Sequence, residues 1–191
     1  MGRKRALTIV TAAAAAVVLA IGLALFKPWL LFVDVRVDEA IPTVAASAEH
    51  ATSSPSASAG VPSPSGARTE DAPARAVQLA EGSLISHEHA TSGTVRIIEQ
   101  PDGVRVLTLE NLDTSNGPDV HVWLSAADVV EGTGGWFTAG SAAHLDLGLI
   151  KGNQGNQVYR IPEGADLSKY KSVDLWCVQF AVSFGAAQLK F

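Results

Sequence analysis

The hydrophobic rhythm of the chain changes twice. Residues 6–26 are an uncharged run rich in Ala, Val, Leu and Ile, preceded by Arg3, Lys4 and Arg5. About 20 apolar residues cross a bilayer as a helix, and a basic flank keeps its own end in the cytoplasm. The pattern predicts a cytoplasmic leader at 1–5 and a transmembrane signal anchor at 6–26. A cleaved signal peptide has a shorter apolar core with a small-residue site directly behind it. Here Lys27, Pro28 and Trp29 follow, and they suit an interfacial boundary.

Residues 27–42 form a juxtamembrane segment in which VDVRVDEAIP alternates and carries charge. Two placements stay open for it, at the membrane surface or against the domain. Residues 43–76 are dominated by Ala, Ser, Pro, Thr and Gly. Such a stretch buries too little apolar surface to offset its ordering entropy. It is expected to be a disordered linker that gives the domain reach above the membrane.

From residue 77 the apolar period becomes two. Val95 and Ile97 alternate with Arg96 and Ile98, and Gln100-Pro101-Asp102-Gly103 separates them from 104–112, which predicts a hairpin. Further strands are predicted at 119–125, 145–150, 158–161, 173–180 and 186–190. A Gly-rich loop falls at 132–140, and one helical turn at 166–170. Short strands with Gly/Pro turns predict an all-β domain over 77–191, an antiparallel β-sandwich or barrel-like fold. The strand at 173–180 is apolar on both faces, as in a central, covered strand. Val173, Leu175, Cys177 and Gln179 share one face; Trp176, Val178 and Phe180 share the other.

Charge narrows the partners. Residues 76–191 hold thirteen acidic and seven basic side chains and no Lys/Arg stripe. Nucleic-acid binding draws on cationic charge to displace counterions, so no nucleic-acid partner is expected. The chain has one cysteine, Cys177. It can form no internal disulfide, although an exported domain sits where disulfides form.

Cys177 is therefore the candidate for chemistry. A buried thiol among apolar neighbours has a raised pKa and is usually inert, so a reactive one needs a cation or a ligand partner. His87, His89, His121 and His144 are the candidates. His87 and His89, two apart, would share a face if they lay on a strand. With Cys177 they would still fall short of a zinc set. The only methionine is Met1, so an axial Met for a blue-copper site is excluded. No metal site is assigned. G-x-S-x-G, P-loop, CxxC and HExxH motifs are all absent.

Several blocks, in order, resemble one family. They include Gly82-Ser83-Leu84, His89-Ala90-Thr91-Ser92-Gly93-Thr94, Asn116-Gly117-Pro118-Asp119-Val120 and Val122-Trp123-Leu124. Leu147-Gly148-Leu149-Ile150-Lys151-Gly152, Gln157-Val158-Tyr159, Trp176-Cys177 and Phe184-Gly185-Ala186-Ala187 complete them. Together they are similar to the DM13 domain over about 78–191, and the leader is similar to membrane-anchored bacterial members. The resemblance implies a β-rich extracellular domain with a characteristic cysteine, matched by Cys177. It also implies electron transfer through that thiol or through a prosthetic group such as haem, and His89 falls in a matching block.

The expected function is a membrane-anchored redox or electron-transfer accessory domain rather than a stand-alone enzyme. Its domain would lie outside the cytoplasm and face a redox or cell-surface protein partner. Cys177 is the candidate catalytic group. Cys177, His89, Trp176 and Tyr159 are the candidates to hold a cofactor. The cofactor is unassigned, with haem the candidate. The alternative is a non-catalytic binding or adhesion module in which Cys177 is core and the loops at 115–119 and 132–140 do the work.

Overall fold

A computed structural model describes residues 2–44 and 75–191. The linker expected at 43–76 therefore lies outside the described residues, apart from its two ends. The first element, α1 (Gly2–Phe26), is a helix of 25 residues whose most apolar window has a mean hydropathy of 2.6. At about 1.5 Å per residue it is long enough to cross a bilayer. By length and composition it suits a membrane anchor or a signal sequence.

Nine strands follow: β1 (Arg36–Asp38), β2 (Val77–Ser86), β3 (Ser92–Glu99), β4 (Arg105–Asp113), β5 (Val120–Ser125), β6 (His144–Leu149), β7 (Gln154–Arg160), β8 (Ser172–Cys177) and β9 (Val182–Gln188). They make one sheet in the order β1-β7-β4-β3-β2-β9-β8-β5-β6. The expected all-β domain is thus present, as a curled half-barrel rather than two stacked sheets. The curl centres on β2. Its first part pairs with β3 from Val77 to Ser83, and its last part, Leu84–Ser86, pairs with β9. Inward-facing residues such as Ile97, Leu107, Val122 and Phe184 fill the concave side. The two ends of the sheet come close where the Tyr159 hydroxyl on β7 lies 3.3 Å from the carbonyl of Leu149 at the end of β6.

The strand pairs within 77–191 are antiparallel, as expected, and the sheet becomes mixed through β1, which precedes that range. β1 pairs with β7 in parallel, Arg36 beside Gln154 and Asp38 beside Asn156. This settles the open placement of 27–42, because the juxtamembrane segment is part of the domain. Asn153 secures it: Oδ1 accepts from the Val35 N–H at 2.7 Å, while Nδ2 donates to Asp34 (2.8 Å) and to the Thr114 carbonyl (2.9 Å). Lys151 meets the Glu39 carboxylate at 2.7 Å. Gly155, at φ +96°, leaves room for the Val37 carbonyl, which a Cβ would meet at 2.0 Å.

Val44 then bridges to Ala76 in parallel. The two ends of the expected linker thus lie side by side. A 3-10 turn, Pro28–Phe32, and three further residues are all that separate α1 from the tied-down backbone at Val35.

One rim of the half-barrel collects the starts of β1, β3, β5, β7 and β9 and the ends of β2, β4, β6 and β8. Cys177 sits on this rim, and so does the entry from α1.

Candidate functional site

β8 is buried along its whole length, as the two-faced apolar pattern predicts. It ends at Cys177, however, and the chain then turns through 178–181, with Ala181 at φ +52°. Cys177 pairs with Val120 on β5 and Val182 on β9 and is 0% exposed. Burial pushes its thiol pKa up, and the Asp119 carboxylate pushes the same way. The backbone N–H groups of Phe180, Gln179 and Asp119 act against both. The thiol is therefore protonated at rest.

The four histidines do not supply a cation to it. His121 lies on the convex face between Asp146 (2.8 Å) and Asp119 (3.2 Å). His144 stacks on Trp123 at 3.6 Å between ring centroids. His87 and His89 do not share a strand face, because both fall in the bend after β2 and point apart. His87 Nδ1 meets Ser183 Oγ at 2.7 Å and Nε2 meets the Val130 carbonyl at 3.1 Å. His89 packs its ring on Phe184 at 3.9 Å and pairs with Glu88.

The four proposed cofactor contacts thus occupy separate surroundings. Trp176 is on the convex face, packed with Trp123 and Ala139 and so close to Gly140 that a Cβ there would meet its ring at 2.6 Å. Tyr159 shares the concave core with Cys177, but its hydroxyl is engaged by Gln157 at 2.6 Å. Burial pushes the Tyr159 pKa up. A haem bound through Cys177 would need an open approach to the sulfur and space for a macrocycle. The thiol is fully enclosed by Val120, Val182 and the turn that follows it, so these residues do not fit a haem there.

Two features escaped the sequence. The first is a buried polar chain on the convex face. Asp174, set among apolar residues on β8, is 2% exposed and interacts with Ser183, which in turn meets His87. Burial pushes Asp174 up to about 7. Nε2 of His87 faces a carbonyl and so carries the proton, and Nδ1 then accepts from Ser183; Oδ1 of the buried Asp174 has no hydrogen-bond partner among the described residues. The visible signal was a carboxylate in the most apolar strand.

The second is a cleft of about 430 Å³ at the rim. Phe26, Lys27, Pro28 and Leu30 form one wall; His89, Trp136, Phe137, Phe180 and Phe184 are among the residues opposite. Phe26 stacks on Phe180 at 5.9 Å, and the Gln179 side chain donates to the Leu25 carbonyl at 2.8 Å.

A family model described as Electron transfer DM13 matches residues 83–189. The chain belongs to the DM13 family. The match starts inside β2 and ends just after β9, so the DM13 region includes His89, Tyr159, Trp176 and Cys177 and leaves out α1 and β1. No curated protein and no solved structure matches the chain. As a DM13 domain, the chain is redox-related by family; its edge strand β1 lies outside the matched region.

Proposed function

We propose that this chain is a membrane-anchored redox accessory domain, held by α1 with its N-terminus in the cytoplasm and the DM13 domain outside, and that Cys177 is its working group. One observation carries this reading: the sole thiol of the chain ends a central strand at the rim, covered, among the described residues, by nothing more than a four-residue turn and its two strand neighbours. Of the two forms considered, haem ligand and free thiol, the geometry favours the thiol. When the turn 178–181 opens, the sulfur meets a partner's disulfide. The Cys177 thiolate attacks one sulfur, the other leaves as a thiolate, and the proton of Cys177 goes to that leaving group. Electrons balance without a further oxidant.

The complete enclosure of Cys177 favours a second reading, a binding module with an inert core thiol. Labelling the full chain in lipid nanodiscs with an aromatic disulfide reagent separates the two. Under the redox reading, Cys177 reacts many times faster than the domain globally unfolds, and Cys177→Ser abolishes the signal. Labelling no faster than global unfolding would sink the redox reading and leave the binding module.

A further inference from the structure

The rim carrying Cys177 faces the membrane once α1 is an anchor. β1 begins on this rim, and Asn153 fixes its backbone at Val35. The Asn116 amide also donates to the Val33 carbonyl at 3.2 Å. The helix end and the cleft therefore lie at the level where bilayer hydrocarbon gives way to water. Phe137 (59% exposed), Phe180 (45%) and Val178 (44%) stand out on the same rim. Exposed aromatics at a membrane boundary suit the interfacial region.

The cleft is within the size range of small-molecule sites, about 300–1,000 Å³. Its walls are aromatic, from Phe26, Trp136, Phe137, Phe180 and Phe184, and flat rings stack well against such walls. Polar side chains are few: Lys27, Glu88, His89 and Asn116. Asn116 is used internally, and His89 keeps Nε2 on Glu88, which leaves Nδ1 for a ligand. An apolar cleft with one wall made by the membrane helix is open to a molecule dissolved in the bilayer.

We propose that this cleft binds the ring head of a quinone-type amphiphile whose apolar tail stays in the membrane. The ring lies among Trp136, Phe180 and Phe184, and with Nε2–H of His89 on Glu88 its bare Nδ1 accepts from a ring hydroxyl of the reduced form. The proposal rests on the membrane-anchored redox reading and names a lipid-soluble electron carrier as the small molecule of that system.

The test uses the full chain in phosphatidylcholine nanodiscs, its intact N-terminus confirmed by mass. A benzoquinone with a decyl tail is titrated in while the Trp136 indole N–H resonance is followed, assigned through Trp136→Phe. Hexadecanol, a chain without a ring, is titrated in parallel. The expected result is a saturable shift with the quinone and none with hexadecanol. Phe180→Asp and Phe137→Asp, both at exposed positions, should each raise the half-saturation point at least about tenfold, or ~1.4 kcal/mol. Retained resonance dispersion shows that these variants are folded. Absence of a saturable shift, an equal response to hexadecanol, or unchanged half-saturation in both variants would overturn the proposal. Binding is read without electron transfer, so its failure is distinct from failure of the Cys177 chemistry, and a cleaved helix would show in the mass.

Discussion

His87 Nδ1 lies 2.7 Å from Ser183 Oγ, which joins the bend after β2 to the buried face of β9. Behind Ser183 stands Asp174, raised to about 7 by burial. The folded state thus holds a proton on Asp174 over a range in which the unfolded chain, with an ordinary aspartate pKa of about 3.9, has lost it. The native state then binds more protons, and stability falls as pH rises from about 4 to about 7. The limiting slope is ~1.4 kcal/mol per pH unit. Asp174→Asn should flatten this slope and raise stability above pH 7, as measured by urea midpoints across pH. A slope unchanged by the substitution would show that Asp174 is not its source.

His87 works in the opposite sense. Burial lowers its pKa in the folded state, so the unfolded state binds more protons just below the ordinary histidine value. Its contribution is present above about 6.5 and lost as pH falls through the lowered value. His87→Gln should remove the acid-side loss and leave the loss through Asp174. The same urea series reads both, and their sum predicts a stability maximum on the acid side of neutrality if Asp174 outweighs His87.

Gly155 should not tolerate a side chain. At φ +96°, with the Val37 carbonyl 2.0 Å from a would-be Cβ, Gly155→Ala strains the backbone and pushes β1 off β7. A loss of about 2 kcal/mol or more is expected. Faster amide exchange at Val37 and Asn156, with the β8–β9 hairpin unchanged, would show that the damage is local to the edge.

The bridge between Val44 and Ala76 predicts how a cut chain behaves. A protease site placed between Ser54 and Pro55 divides the chain into a piece with α1 and β1 and a piece with the other eight strands. The hydrogen bonds of Asn153, the ion pair of Lys151 with Glu39 and the β1–β7 pairing remain. The nicked domain should sediment with membranes in buffer and leave them in denaturant. Asn153→Ala, which removes three hydrogen bonds from a buried position, should release it in buffer. Release of the unaltered nicked domain would count against the β1–β7 interface.

Cys177 should react with water-soluble alkylating reagents more slowly than a free thiol at the same pH, because burial encloses it and pushes its ionisation up. Ala181→Gly, at φ +52° in the turn that covers it, removes backbone strain and should make the turn tighter rather than looser. Labelling slower than in the parent chain is the expected result; faster labelling would contradict the turn as the gate.

The sequence by itself determined the apolar helix, the all-β character of the domain and the burial of β8. These rest on periodicity and composition, which act locally and need no knowledge of neighbours. It also pointed to Cys177, because a lone thiol is visible by count. Strand boundaries were less legible. β8 stops at Cys177 because the chain must turn there to meet β9, and that turn is built from Val178, Gln179 and Phe180, which read as a continuing strand.

Only the tertiary structure decided what meets what. A three-residue edge strand such as β1 has too few residues to show a period, and its parallel partner lies over a hundred residues away. Its placement puts the juxtamembrane segment on the edge of the domain's sheet. His87, Ser183 and Asp174 are similarly remote in sequence, and each alone reads as an ordinary polar residue. Their proximity follows from the curl of β2, which turns one strand between two halves of the sheet and brings the bend at His87 over β9. The cleft exists for the same reason: β1 fixes where the helix ends, and the curl places Trp136, Phe180 and Phe184 beside it.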